Sequence, residues 1–291
     1  MDRPHPALNH EPCTESNCKG YDFNEKTYKT HHVDGCDQKC GWYETEPDTV
    51  HAILVAGEVP VVQFDHDQPD RMLTVVNASD PELLPYVANS HVWSDGMGNP
   101  DRESGMPCCQ VRKVGAMVQE LFPNAEKRVP FWIDTLCCPK QPPEATGLAI
   151  KLMRRTYEEA EKVLVVEDYL MRHQSGEMTA TEKVLRVYVS NWATRLWTLQ
   201  EGFLAKSLLV RFRDRSESLL SLFLEIGHDP RDVELTDALF QFFLDFFPRK
   251  PVEGDATDDD PDFFRTLQGP GDHYINSLTH ISRSVRFRQT S

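Results

Sequence analysis

Hydrophobic positions along this chain change period several times, and each change marks an element. VHAILVAGEVPVVQF from Val50 and RMLTVV from Arg71 are short β-branched runs broken by Gly, Pro and Asp, which predicts strands joined by turns. YVANSHVW, Tyr86 to Trp93, predicts another strand, and SDGMGNP after it is dense in turn formers. Val111, Val114, Met117, Val118 and Leu121 recur at helical spacing until Pro123 closes that helix. VPFWIDTL, Val129 to Leu136, reads as a strand buried on both faces. A helix over 148–160 follows, with Ile150, Met153 and Tyr157 on one face, and KVLVV over 162–166 is the next strand. A short helix over 182–190, a helix within NWATRLWTLQEGFLA (191–205) and a strand over 207–212 complete the series. This alternation predicts an α/β domain over 50–212 with a mostly parallel sheet and flanking helices.

The flanks follow other rules. Residues 1–49 are polar, rich in His and Cys and without a sustained period, so they read as an appendage held by something other than a hydrophobic core. Leu235, Leu239, Phe242, Phe243 and Phe246 mark an amphipathic helix that Pro248 ends, giving a helical extension over 213–250. Its apolar face must pack on the domain or on a partner. Over 251–291 an acidic run, EGDATDDDPD, and a basic tail read as disordered.

Composition narrows the class. Of 291 residues, 40% are hydrophobic and 26% charged, which is globular, and the formal net charge of -15 argues against nucleic acid or an anionic membrane as partner. No apolar run approaches the roughly 20 residues that span a bilayer, and the N-terminus lacks an apolar signal core, so the expectation is a soluble cytoplasmic protein with no membrane span. Eight cysteines without a secretion signal then read as thiols or metal ligands. Cys108 with Cys109 and Cys137 with Cys138 are neighbours, which seldom bridge each other. Cys13 and Cys18 form C-x4-C; His31 precedes His32, Cys36 and Cys40, which form H-x3-C-x3-C. Zinc needs about four convergent soft or borderline ligands, so Cys13, Cys18, His32, Cys36 and Cys40 are candidates for a structural ion; free thiols on an arm fit the same spacing.

Candidate chemistry lies at strand ends and on one helix. Within 191–205, Trp192, Leu196, Leu199 and Phe203 form one apolar stripe, and Trp197, Glu201 and Leu204 fall together on another side. A carboxylate beside a ring on a rigid element gains proton affinity by desolvation, or the ring stacks on a ligand; an ordinary exposed glutamate has the same spacing. Ligands of open α/β sheets bind at the carboxyl ends of strands. Ser90, His91, Trp93, Ser94 and Asp95 stand at one such end, Asp134 with Cys137 at another, suited to sugar hydroxyls or a phosphate. A turn aspartate, a core histidine and a buried thiol are the structural alternatives. The G-x-G-x-x-G, G-x4-G-K-[ST] and G-x-S-x-G patterns are absent, against Rossmann, P-loop and α/β-hydrolase assignments.

Four segments in order, SHVWSDG, FWIDTLCCPK, KLMRRTYEEAEKVLVV and ATRLWTLQEGFLA, resemble the fungal heterokaryon incompatibility (HET) domain over about residues 86–212. Trp132, Ile133, Asp134, Leu136 and Cys137 fit its Trp-Ile-Asp-x-Leu-Cys pattern. Met153, Tyr157 and Ala160 fit its Met-x-x-Ile-Tyr-x-x-Ala pattern, and Arg195, Trp197, Gln200 and Glu201 its Arg-x-Trp-x-x-Gln-Glu. Cys138, Pro139 and Lys140 depart from it, as do Ser94 and Asp95, which separate Trp93 from the glycine that usually follows it. HET domains are in turn similar to TIR domains, so the resemblance implies a flavodoxin-like parallel sheet. It also implies cleavage of NAD between nicotinamide and ribose, with Glu201 as catalytic carboxylate and Trp197, Ser90, His91, Trp93 and Asp134 around the substrate. The setting it implies is allorecognition or programmed cell death, through self-association or another signalling protein. A HET-type assembly module without turnover is the alternative, because fold does not fix function.

Overall fold

The computed structural model describes residues 28–64, 73–99 and 104–226. In chain order these form β1 (Trp42–Glu44), α1 (Pro47–Val55), β2 (Pro60–Gln63), β3 (Thr74–Asn77), β4 (Val87–His91), β5 (Gly105–Pro107), α2 (Cys108–Glu120), β6 (Phe131–Trp132) and α3 (Asp134–Cys137). There follow α4 (Pro143–Lys151), α5 (Met153–Glu159), β7 (Lys162–Val166), α6 (Asp168–Met171), α7 (Ala180–Tyr188), α8 (Leu196–Leu204), β8 (Leu208–Arg211), β9 (Ser216–Ser218) and α9 (Leu219–Ile226). Among these residues no helix is long and apolar enough to cross a membrane.

One seven-stranded sheet runs β3-β2-β6-β4-β7-β8-β9, and β1 pairs with β5 in a separate ribbon. The central strands β6, β4, β7 and β8 are parallel, whereas the pairings at both edges are antiparallel. Among the parallel strands, the first in the chain, β4, lies between the second, β6, and the third, β7. The connection from β4 to β6 and the next, from β6 back past β4 to β7, therefore run in opposite directions, and ligands of open sheets bind at the carboxyl ends beside such a switch point.

The two middle strands differ in a way that matters. β7 is apolar along its buried length, as a strand covered on both faces should be. β4 is equally buried but ends in Asn89, Ser90 and His91. Buried polar groups cost stability unless they are bonded, so these three must find partners beyond the ladder.

Several expectations change. Val50–Val55 is helical, not a strand: Pro47 stands in the first turn, and Val50 and Leu54, four apart, pack against Ala145 and Ala149 of α4. The strand expected over 129–136 shrinks to Phe131–Trp132, and Asp134 already starts α3, where it accepts the Thr135 N–H at 2.6 Å. The helix expected over 148–160 is two, α4 and α5, separated at Leu152. Within residues 28–49, β1 pairs with β5, and Thr45 Oγ1 donates to the Leu136 carbonyl at 2.9 Å. Beyond 212 the sheet gains β9 before α9 begins. The amphipathic helix around Phe242, the acidic run and the basic tail lie outside the described residues.

Candidate functional site

At the carboxyl end of β4, the Ser90 hydroxyl donates to Glu201 of α8 and accepts the indole N–H of Trp192 at 2.6 Å. One residue on, His91 Nε2 meets Asp134 Oδ1 at 2.7 Å, while Asp134 Oδ2 accepts the Trp93 indole N–H at 2.7 Å. Ser90, His91, Trp93, Asp134 and Glu201 are thus brought to the ends of neighbouring strands β4 and β6, from elements far apart in the chain. The Asn89 amide donates to the Trp132 carbonyl at 3.0 Å, tying the two strands together.

Glu201 reaches this place because α8 is turned against its apparent amphipathicity. Thr198 and Gly202 are buried on its inward side, whereas Trp197 is 55% and Phe203 37% exposed. Thr198 Oγ1 donates to the carbonyls of Trp192 and, at 2.9 Å, Arg195, which locks the first turn. The expectation that Trp197 and Glu201 share one environment is corrected accordingly. The rings beside the Glu201 carboxylate are Trp192, which holds Ser90, and Tyr157, whose side chain favours the charged carboxylate. Trp192, expected in an apolar stripe of the helix, precedes α8 in a 3-10 turn and is wholly buried.

The charges here are strongly shifted. Burial pushes the Glu201 carboxyl up to about 7; the Ser90 hydrogen bond opposes this and the Asp134 charge adds to it. Burial also disfavours charge on His91 and Asp134, but each favours the other's ion. His91 is held above its ordinary value, and His91, Trp93 and the Thr135 N–H hold Asp134 below its own. Lys140 Nζ stands 5.6 Å from the centroid of the Trp93 ring, so a residue that departs from the HET pattern packs against this loop.

Glu167, directly after β7, is a site residue that sequence reasoning missed. It is fully buried, its Oε1 accepts the Asn191 N–H at 2.8 Å, and its Oε2 has no hydrogen bond. Burial, with Asp95 nearby, pushes its carboxyl up to about 8. The only sequence signal was a glutamate ending an apolar strand. The folded state keeps a proton that the unfolded chain releases above pH ~4.3, so this group lowers stability as pH rises from there to about 8. Glu167→Gln is expected to melt above wild type at pH 7.5, with the gain fading toward pH 5. A gain equal at both pH values in scanning calorimetry would contradict the buried proton.

A second constellation lies at the start of α2. His32 Nδ1 is 3.6 Å from Cys36 Sγ, 3.3 Å from Cys40 Sγ and 3.5 Å from Cys109 Sγ. The four ligand atoms all lie within 4.8 Å of one another and could hold a metal ion. Ligands at tetrahedral angles around zinc, with N at about 2.05 Å and S at about 2.3 Å, stand about 3.6 Å apart, so the spacing fits. Cys109 was expected only as half of a vicinal pair, and the fold brings it to the other three from the first turn of α2. Cys13 and Cys18 lie outside the described residues, and His31 packs elsewhere, against Gly96. No family model, no curated protein and no solved structure matches the chain.

Proposed function

We propose that this chain is a HET-type domain protein with a flavodoxin- or TIR-like sheet that hydrolyses NAD to nicotinamide and ADP-ribose, acting in the cytoplasm in allorecognition or programmed cell death. The observation that carries the reading is the Glu201 carboxylate, half-buried at the carboxyl end of β4, bonded by Ser90 and pushed up to about 7. Breaking the bond between ribose and nicotinamide leaves an oxocarbenium-like sugar. A desolvated carboxylate stabilises that charge, water adds at the anomeric carbon, and the water's proton leaves to solvent. His91, Asp134 and Trp93 supply polar groups and a ring along the same edge for the ribose hydroxyls and base. The test is to incubate concentrated protein with NAD and quantify both products. Equal amounts of nicotinamide and ADP-ribose are expected, and their absence at every protein concentration overturns the reading.

A second reading keeps the assignment and drops turnover. α8 exposes Trp197 and Phe203, large apolar side chains suited to a second copy or another signalling protein. Concentration-dependent assembly without nicotinamide release would favour this reading.

For the second constellation we assign zinc as the ion. Three thiolates and one imidazole suit tetrahedral zinc, and a set with no open position is structural. Elemental analysis of purified protein is expected to find one equivalent.

A further inference from the structure

The four ligands do not come from one hairpin. His32, Cys36 and Cys40 belong to the segment 28–41, whereas Cys109 lies in the first turn of α2. An ion at this place fastens the segment to the body of the domain. Backbone contacts continue the seam: the Val33 N–H donates to Cys109 Sγ at 3.3 Å, and the Cys108 N–H donates to the Gly41 carbonyl at 3.1 Å. Gln110 Nε2 also reaches the His31 carbonyl, at 3.1 Å.

The same segment lies across the loop that follows β4. The His31 N–H donates to the Gly96 carbonyl at 2.9 Å, and Tyr28 Oη and Thr30 Oγ1 donate to the Gly98 carbonyl at 3.0 and 2.8 Å. Gly96 sits at φ +88°, and a Cβ added there would come within 2.3 Å of the His31 ring. This loop starts with Trp93, whose indole bonds Asp134, and Thr135 Oγ1 reaches back to the Met97 carbonyl at 2.9 Å. The loop is therefore held both by the segment and by the start of α3, where Asp134, paired with His91, accepts from Trp93.

We propose that metal bound by His32, Cys36, Cys40 and Cys109 latches residues 28–41 onto the 93–99 loop, and so sets the geometry of Trp93, Asp134 and His91. The latch rests on the zinc assignment; its effect on turnover rests also on the reading of Glu201. None of residues 28–41 is buried, so without the ion the segment's hold depends on a handful of exposed or half-buried hydrogen bonds. Local opening of such a segment is cheap compared with global unfolding. Loss of the ion to a chelator opens the latch and leaves the parallel sheet intact.

The experiment is hydrogen exchange on the full chain, as purified with zinc and after removal of the ion by a chelator, with zinc alone added back. Amides of His31, Val33 and Cys36 are expected to exchange at least about tenfold faster without the ion, together with the 93–99 loop, while β8 amides keep their rates. Cys109→Ser should reproduce this even with zinc present. If that variant does not fold, the chelated wild type and Cys36→Ser, altered on the half-buried segment, carry the comparison. Protein that holds no zinc and takes none up overturns both the zinc assignment and the latch. One tightly held zinc with unchanged exchange in 28–41 and 93–99 overturns the latch alone. Nicotinamide release, measured in parallel, reports on Glu201 and decides neither point.

Discussion

Glu201→Gln is expected to lower nicotinamide release from NAD by about 100- to 1000-fold while leaving the chain folded. Gln keeps the shape and can still accept from Ser90, whose hydroxyl is itself held by the Trp192 indole. In the proposed reaction, what it lacks is the negative charge that stabilises the developing ribosyl cation. The pH profile is a separate check. The wild-type carboxyl ionises at about 7, so turnover should rise with pH through that value and then level, and the residual rate of the variant should lack this rise.

Stability should move the other way. Because burial raises the folded-state value above the unfolded one, the folded state holds a proton that the unfolded chain releases, and stability falls between pH ~4.3 and about 7. Gln carries no such cost, so the variant should be at least as stable as wild type at pH 8. Turnover within threefold of wild type would remove Glu201 from the chemistry; a melting temperature far below wild type would mean that the loss was structural.

Asp134→Asn is expected to cost about 3 kcal/mol, or roughly 6–12 °C in melting temperature. The carboxylate accepts from His91, Trp93 and the Thr135 N–H, and the Thr135 hydroxyl lies 3.2 Å away. An amide offers one acceptor oxygen. If that oxygen stays with His91 and Thr135, the new NH2 faces the Trp93 indole N–H, donor against donor. The His91 charge, 2% exposed, also loses its counter-ion.

The pH dependence has a definite sign. The depressed Asp134 contributes stability that is present above pH ~3.9 and is lost as pH falls through its lower folded value. The raised His91 contributes below pH ~6.5 and loses its contribution as pH rises through its higher folded value. Wild type and variant should therefore differ most between about pH 4 and 6.5. Denaturant titrations at pH 5.5 showing a difference under 1 kcal/mol would contradict a tightly paired ion couple.

How much of this was legible depended on the kind of signal. KVLVV could be read as a buried strand because its apolar run needs no partner for recognition, and β7 follows it. VHAILV could not, because a short apolar run fits strand and helix alike; Ala145 and Ala149 of a distant helix decided for α1. Glu201 was legible as a residue of interest, and the environment that gives it chemical meaning was not. Helical spacing paired it with Trp197, and packing put Trp197 in solvent and brought Ser90, Trp192 and Tyr157 to the carboxylate.

The cysteines make the same division. His32, Cys36 and Cys40 were visible as a ligand pattern because their spacing is local, and Cys109 was invisible because nothing in a linear chain says that the start of α2 returns to that segment. By itself the sequence determined the alternation of strands and helices in outline, the residue types able to do acid, base and metal chemistry, and the resemblance that proposes NAD. Only the tertiary structure decided which of those residues meet, which carboxyls are buried and therefore proton-hungry, and which ring faces water. The physical reason is that periodicity records a preference for burial within one element, whereas hydrogen-bond partners, desolvation and metal geometry are properties of several elements brought together.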